Sequence, residues 1–247
     1  MSIYVKVFLS AFLLLGFNSP RKVKVWLVGD STMANKEVGE YPETGWGMPF
    51  SHFFDSMVVV DNRAKNGKST KSFRAEGLWQ PVIDGIQPGD YVFIQFGHND
   101  EYKEKAERFT TPDEFKVNLR KYVAETRSGG GIPVLLTPVA RRIFGPDGKI
   151  QEAHPLYADA VREVAVKEKV ALIDLDDKTS ALIQEWGPEH SKALFNHLEP
   201  GEHPNYPDGR KDDTHFNELG ARKVAELVLA GVRQLAPGLA DHIRVRK

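Results

Sequence analysis

The stretch KVKVWLVGDSTM (residues 22–33) decides the fold. Val23, Val25, Trp26, Leu27 and Val28 form a nearly unbroken β-branched and aromatic run. That is the pattern of a strand buried on both faces of a parallel sheet. Gly29-Asp30-Ser31-Thr32 ends the run abruptly, and Gly29, lacking Cβ, suits a sharp turn there. Ser31 is thereby expected in a loop at the carboxyl end of a strand, where open α/β sheets bind their ligands.

Outward from this strand, short apolar runs recur at residues 58–60, 91–96, 133–137 and 170–175. Between them lie segments with helical spacing: 50–57, 74–86 (interrupted at Pro81), 156–169, 177–186 and 218–235. Thr111-Pro112-Asp113-Glu114 starts another helix, with Thr111 and Glu114 as a capping box and Pro112 in the first turn. Strands alternating with helices predict parallel βαβ units with right-handed crossovers. The expected fold is α/β: one doubly wound domain of about five parallel strands. Two connections, 138–155 and 187–211, exceed the usual length, which marks loops that are functional or disordered.

Composition narrows the function. The chain has 247 residues, 41% hydrophobic and 27% charged, enough for one sizeable core. A formal net charge of -1 gives no electrostatic basis for binding nucleic acid. There is no cysteine, and so no disulfide, thiolate nucleophile or Cys-based zinc site. In residues 1–19, Lys6 precedes the apolar run 7–15, too short for a membrane span and suited to the core of a secretory signal. An exported protein is expected, periplasmic or extracellular, with residues 20–247 as its single domain.

Parallel pairing places the loops after the first three strands on one edge of the sheet, so Ser31, Gly67 and Asn99 converge. Serine hydrolysis of an ester needs a nucleophile, a base, a carboxylate to orient it and donors for the negative oxygen. Ser31 can attack. The backbone N–H groups of Ser31 and Gly67 and the amide of Asn99 can stabilise the oxyanion. Asp212 and His215, three apart before the last helix, can supply the orienting carboxylate and the base.

The blocks GDST (29–32), NG (66–67), GHND (97–100) and DDTH (212–215) resemble the SGNH branch of the GDSL hydrolases. The first block reads GDST and not the GDSL of the wider group, and in this it matches the rhamnogalacturonan acetylesterases, to whose pattern GDSTM, the nearby GWG (45–47) and FGHND are similar. The resemblance implies a flavodoxin-like three-layer sandwich and a Ser31/Asp212/His215 triad. It further implies an oxyanion hole from Ser31, Gly67 and Asn99, no metal or other cofactor, and removal of acetyl groups from pectin. An acetylated polysaccharide or oligosaccharide is the partner it implies.

For such a substrate, Trp46 and Tyr206 are candidates for stacking on sugar rings. Arg141 and Arg142, after the fourth strand, are candidates for the galacturonate carboxylate, which suits the arginine fork. His98 reads as a structural hydrogen-bonding residue; His154, His190, His197 and His203 read as solvated. Asp30 and Asp100 read as residues that orient their own loops. Three alternatives are weighed against the esterase. Asp212, Asp213 and His215 could ligate a metal together with His98 and Asp100. Asn66-Gly67-Lys68-Ser69 imitates a P-loop ending, but position 62 is Asn where that pattern requires Gly. A non-catalytic carbohydrate-binding protein on the same fold is the third.

Overall fold

The computed structural model describes residues 21–244, so the proposed signal segment lies outside the described residues. Five strands form one parallel sheet: β1 (Val23–Gly29), β2 (Val58–Asn62), β3 (Tyr91–Gln95), β4 (Ile132–Leu136) and β5 (Ala171–Ile173). Their order is β2-β1-β3-β4-β5, the flavodoxin-like arrangement. The chain moves outward from β1 in both directions, so the β1/β3 boundary is the switch point where such sheets open a crevice. Gly29 at the end of β1 pairs with Gln95 at the end of β3, which sets the loops carrying Ser31 and Asn99 side by side.

Helices cover both faces. Alternate residues of β1 divide the core: Val25 and Leu27 pack on one side, Trp26 and Val28 on the other. The first side is covered by α1 (Gly47–Phe50), α6 (Leu175–His190), α7 (Glu218–Leu235) and α8 (Pro237–Ala240). The second is covered by α2 (Thr70–Ala75), α3 (Gln80–Gly85), α4 (Pro112–Ser128) and α5 (Pro155–Glu168). The result is a three-layer sandwich. No helix among the described residues is long and apolar enough to cross a membrane.

Several boundaries differ from the sequence reading, each for a local reason. The segment 74–86 is not one interrupted helix; α2 begins earlier, where the Ser69 side chain caps Ser72 N, and Pro81 lies in the first turn of a separate α3. α2 therefore follows the Asn66–Ser69 string directly. β5 is shorter than expected because Asp174 caps α6, accepting from Asp177 N. α6 breaks at Gly187, whose φ of 70° is non-helical. The long connection 187–211 holds β6 (Phe195–Leu198), paired antiparallel with β7 (Arg210–Phe216). The DDTH block thus belongs to a strand. In that pair Phe195 faces Phe216 while His197 faces Lys211, so the extra β7 residues 212–215 arch out of register. Bulges of this kind re-aim side chains beside active sites.

Candidate active site

The arch in β7 is held by its own first residue. Asp212 Oδ1 accepts hydrogen bonds from Thr214 N and His215 N, both at 2.9 Å. This fixes the carboxylate so that Oδ2 faces His215 Nδ1 at 2.9 Å. The other imidazole nitrogen, Nε2, lies 3.0 Å from Ser31 Oγ. Arg210 Nη2 also donates to Asp212 Oδ2, at 2.9 Å. Burial pulls the Asp212 carboxyl upward, but the hydrogen bonds and charge of His215, with Arg210, outweigh it and hold the group well below the usual carboxylate range. Asp212 is therefore a firm anion beside the imidazole.

The loop carrying Ser31 is braced from behind. Asp30 Oδ1 accepts from Thr32 N and Thr32 Oγ1, as expected of a loop-orienting aspartate. Gln95 Nε2 donates to Thr32 Oγ1 at 2.6 Å, and Trp46 Nε1 donates to Gln95 Oε1 at 2.7 Å. Gly29 does not use the left-handed region. It is needed because a Cβ there would stand 2.6 Å from the Gln95 carbonyl oxygen, where β1 and β3 approach each other.

Gly67 does use that freedom, with φ +71°. Its loop is tied to Asn99, whose Nδ2 donates to the Lys68 carbonyl at 3.1 Å. One amide hydrogen of Asn99 is left over. Among the described residues the backbone N–H groups of Ser31 and Gly67 donate to no protein acceptor. Three unengaged donors thus stand on the sequence-assigned residues. Behind them Asp100 anchors the loop to the start of α2, accepting from Thr70 N and from Thr110 Oγ1 at 3.0 Å each.

Other candidates require correction. Trp46 is fully buried, edge-on to Phe50 with its N–H engaged, so it braces the Ser31 loop and cannot stack on a sugar. Arg142 has its guanidinium taken up by Asp213 (2.7 Å), Ser191 Oγ (3.0 Å) and the Pro188 carbonyl, so it ties the arch to α6 and offers no fork to a substrate. Arg141 is paired with Glu101 at 3.0 Å. Tyr206 donates its hydroxyl to the Glu40 carbonyl, and its ring flanks Arg210, the partner of Asp212. His154 is not solvated: it is buried, 4.1 Å from the ring of His98, with Nδ1 on Glu101. His197 pairs with Asp213. Among the described residues the His98 ring nitrogens make no hydrogen bond; the Asp30 carboxylate is 3.6 Å away. Burial and the neighbouring His154 push its pKa down to about 4.

Two groupings among the described residues have ligand atoms close enough to share a metal: Glu43 with Asp212 and His215, and Asp174 with Asp176 and Asp177. The first holds Asp212 and His215 of the five residues weighed from the sequence, but neither contains Asp213, His98 or Asp100. Each already meets a protein cation, Lys36 at 2.5 Å from Glu43 and Arg162 on all three aspartates. Sequence reasoning missed Glu43, Lys36, Arg108 and Arg210. They lie in charged loop sequence that reads as solvated surface, and only the fold sets them beside the site.

A family model for the GDSL-like lipase/acylhydrolase family matches residues 27–223. The chain belongs to this family. It is 42% identical over 227 residues to rhamnogalacturonan acetylesterase RhgT of Bacillus subtilis, covering 92% of this chain and 97% of that protein. It is 37% identical to the probable rhamnogalacturonan acetylesterase YesY of the same organism, covering 89% and 96%. Among solved structures, the YXIM protein of Bacillus subtilis superposes with a TM-score of 0.74 at 28% identity, over 89% of this chain and 58% of that one. Axe2, an acetylxylan esterase from Geobacillus stearothermophilus, superposes with a TM-score of 0.60 at 17% identity, over 86% and 94%; at that identity the likeness is one of fold. Both the GDSL-family block order and the flavodoxin-like sheet expected from the sequence are present.

Proposed function

We propose that this GDSL-family chain is a serine esterase that removes O-acetyl groups from acetylated rhamnogalacturonan. The observation that carries the reading is the continuous line Ser31 Oγ, His215 Nε2, His215 Nδ1, Asp212 Oδ2, with contacts of 3.0 and 2.9 Å. His215 takes the Ser31 proton as Oγ attacks the acetyl carbonyl. The negative oxygen that forms meets the N–H groups of Ser31 and Gly67 and the remaining amide hydrogen of Asn99. The bond from acetyl carbon to sugar oxygen then breaks, and the sugar oxygen takes the proton back from His215. Water, deprotonated by His215, attacks the acetyl-Ser31 ester; the bond from acetyl carbon to Oγ breaks, Oγ takes that proton from His215, and acetate leaves. Asp212 holds the imidazole tautomer and stabilises its positive charge at each stage.

The substrate is assigned by the two relatives named as rhamnogalacturonan acetylesterases, each matched over most of its length. Export, proposed from residues 1–19, agrees with a polymer substrate that does not enter cells. The test measures acetate release from acetylated rhamnogalacturonan, acetylated xylan and a chromogenic acetate, alongside labelling by a fluorophosphonate probe. Wild type should release acetate fastest from rhamnogalacturonan, and Ser31→Ala should lose both turnover and labelling. Labelling that survives Ser31→Ala would remove Ser31 as nucleophile, and faster release from xylan would transfer the substrate.

A further inference from the structure

We infer that Arg108 binds a carboxylate of the substrate at the edge of the oxyanion site, and so selects acetyl esters carried by a uronate-containing glycan. The inference rests on the esterase reading above and adds the residue that recognises the acid.

Five other cations around the site already have a carboxylate partner. Lys36 pairs with Glu43, Lys68 with Glu76, Arg141 with Glu101, Arg142 with Asp213 and Arg210 with Asp212, all at 3.0 Å or less. Arg108 differs. Its nearest carboxylate oxygen is that of Glu107, 3.6 Å from Nε, on a side chain that is two-thirds exposed. That contact is beyond hydrogen-bond reach and in open solvent, where it is weak.

The guanidinium instead lies across the two expected oxyanion residues. A Cβ placed on Gly67 would stand 3.1 Å from Nη1 and 3.3 Å from both Cζ and Nη2, so the group covers the side of Gly67 that no side chain occupies. Nη1 also reaches Asn99 Oδ1 at 3.4 Å. That oxygen is the end of the amide opposite Nδ2, the proposed oxyanion donor. Arg108 therefore stands on the far side of the Asn99 amide from the acetyl oxygen, where an acidic substituent on the acetylated sugar or its neighbour would lie. Nη2 makes no hydrogen bond among the described residues. A planar guanidinium with free N–H groups, 29% exposed and steadied at one corner, offers the two-point geometry that a carboxylate takes up. A lone oxyanion, formed only in passing, would not need that second nitrogen.

The test separates acid recognition from support of catalysis. Hydrolysis of a neutral chromogenic acetate is inhibited with a deacetylated rhamnogalacturonan oligosaccharide, and with the same oligosaccharide after its carboxyls are methyl-esterified. The wild-type enzyme should bind the acidic form at least about tenfold more tightly than the methyl ester. In Arg108→Gln this preference should collapse to less than about threefold, and Arg108→Lys, which keeps the charge without the fork, should retain part of it. A melting curve for each variant reports the fold. Three results would overturn the inference: no acid preference in the wild type, a preference that persists in Arg108→Gln, or equal losses toward acidic and neutral ligands, which would make Arg108 only a support for Asn99. Failure to release acetate from rhamnogalacturonan, with the Arg108-dependent acid preference intact, would strike the substrate assignment and leave Arg108 as the carboxylate site.

Discussion

Replacing Asp212 with Asn changes one oxygen and should disable the base while leaving the fold in place. Oδ1 is committed to two backbone N–H groups, Thr214 and His215, at 2.9 Å each, so an asparagine keeps its carbonyl oxygen there. Its NH2 then replaces Oδ2, facing His215 Nδ1 and Arg210 Nη2, which both stood 2.9 Å from that oxygen. The imidazole must accept at Nδ1 and carry its proton on Nε2, so it presents a donor to Ser31 Oγ where an acceptor is required. The lost attraction between Asp212 and the imidazolium is about 4 kcal/mol at 4 Å and an effective dielectric of 20. The charge-assisted hydrogen bond adds about 1.5 kcal/mol. Together these are worth about 10⁴-fold in kcat, at 1.36 kcal/mol per decade. The assay is steady-state kcat on a chromogenic acetate, with the rate of fluorophosphonate labelling as a second measure of Ser31 activation and a melting curve as control. Both rates should fall by similar factors, with Tm shifted by only a few degrees. A loss below about 30-fold in a folded variant would refute the role given to Asp212.

Gly67→Ala places a methyl group at φ +71° and against the Arg108 guanidinium, so kcat should fall about 100-fold through displacement of the Gly67 N–H; turnover within a factor of three would count against that donor. Arg142→Ala should lower Tm by about 4–8 °C, because it frees Asp213, Ser191 and the Pro188 carbonyl together, and should slow acidic and neutral esters alike. A selective loss on the acidic ester would restore Arg142 as a substrate contact. Two buried groups should oppose each other in the pH dependence of stability. Burial, against the Thr70 and Thr110 hydrogen bonds, raises Asp100 from 3.8 to about 7, so the native state holds the extra proton and stability falls as pH climbs through that interval. Burial lowers His98 from 6.5 to about 4, so there the unfolded state holds the extra proton and stability rises with pH. Denaturant midpoints between pH 4 and 6.5 should show the two nearly cancelling in the wild type. His98→Asn should unmask a fall of about 3 kcal/mol and Asp100→Asn a rise of similar size, whereas parallel profiles would refute the pairing.

Sequence by itself determined the parallel sheet and three of the site's loops. Strand runs such as 23–28 and 91–96 are continuous because both faces are buried, and a glycine-polar block after each marks the carboxyl edge. Parallel pairing then forces Ser31, Gly67 and Asn99 to one rim, without any knowledge of side-chain packing. The caps at Thr111 and Ser69 are local hydrogen bonds, and the first was legible from residue type alone. Tertiary structure alone decided the rest. FNHL at 195–198 is too short to announce a strand, and its partner lies beyond a loop, so the arch that aims Asp212 and His215 exists only once β6 and β7 pair. Trp46 and Arg142 carry the chemistry of sugar and carboxylate contacts, yet one is buried behind Gln95 and the other is filled by Asp213. Arg108 sits in the charged run EYKEKAER, indistinguishable there from solvated neighbours. Residue type tells what a side chain can bind; which partner it meets is set by contacts distant along the chain, and only folding brings those together.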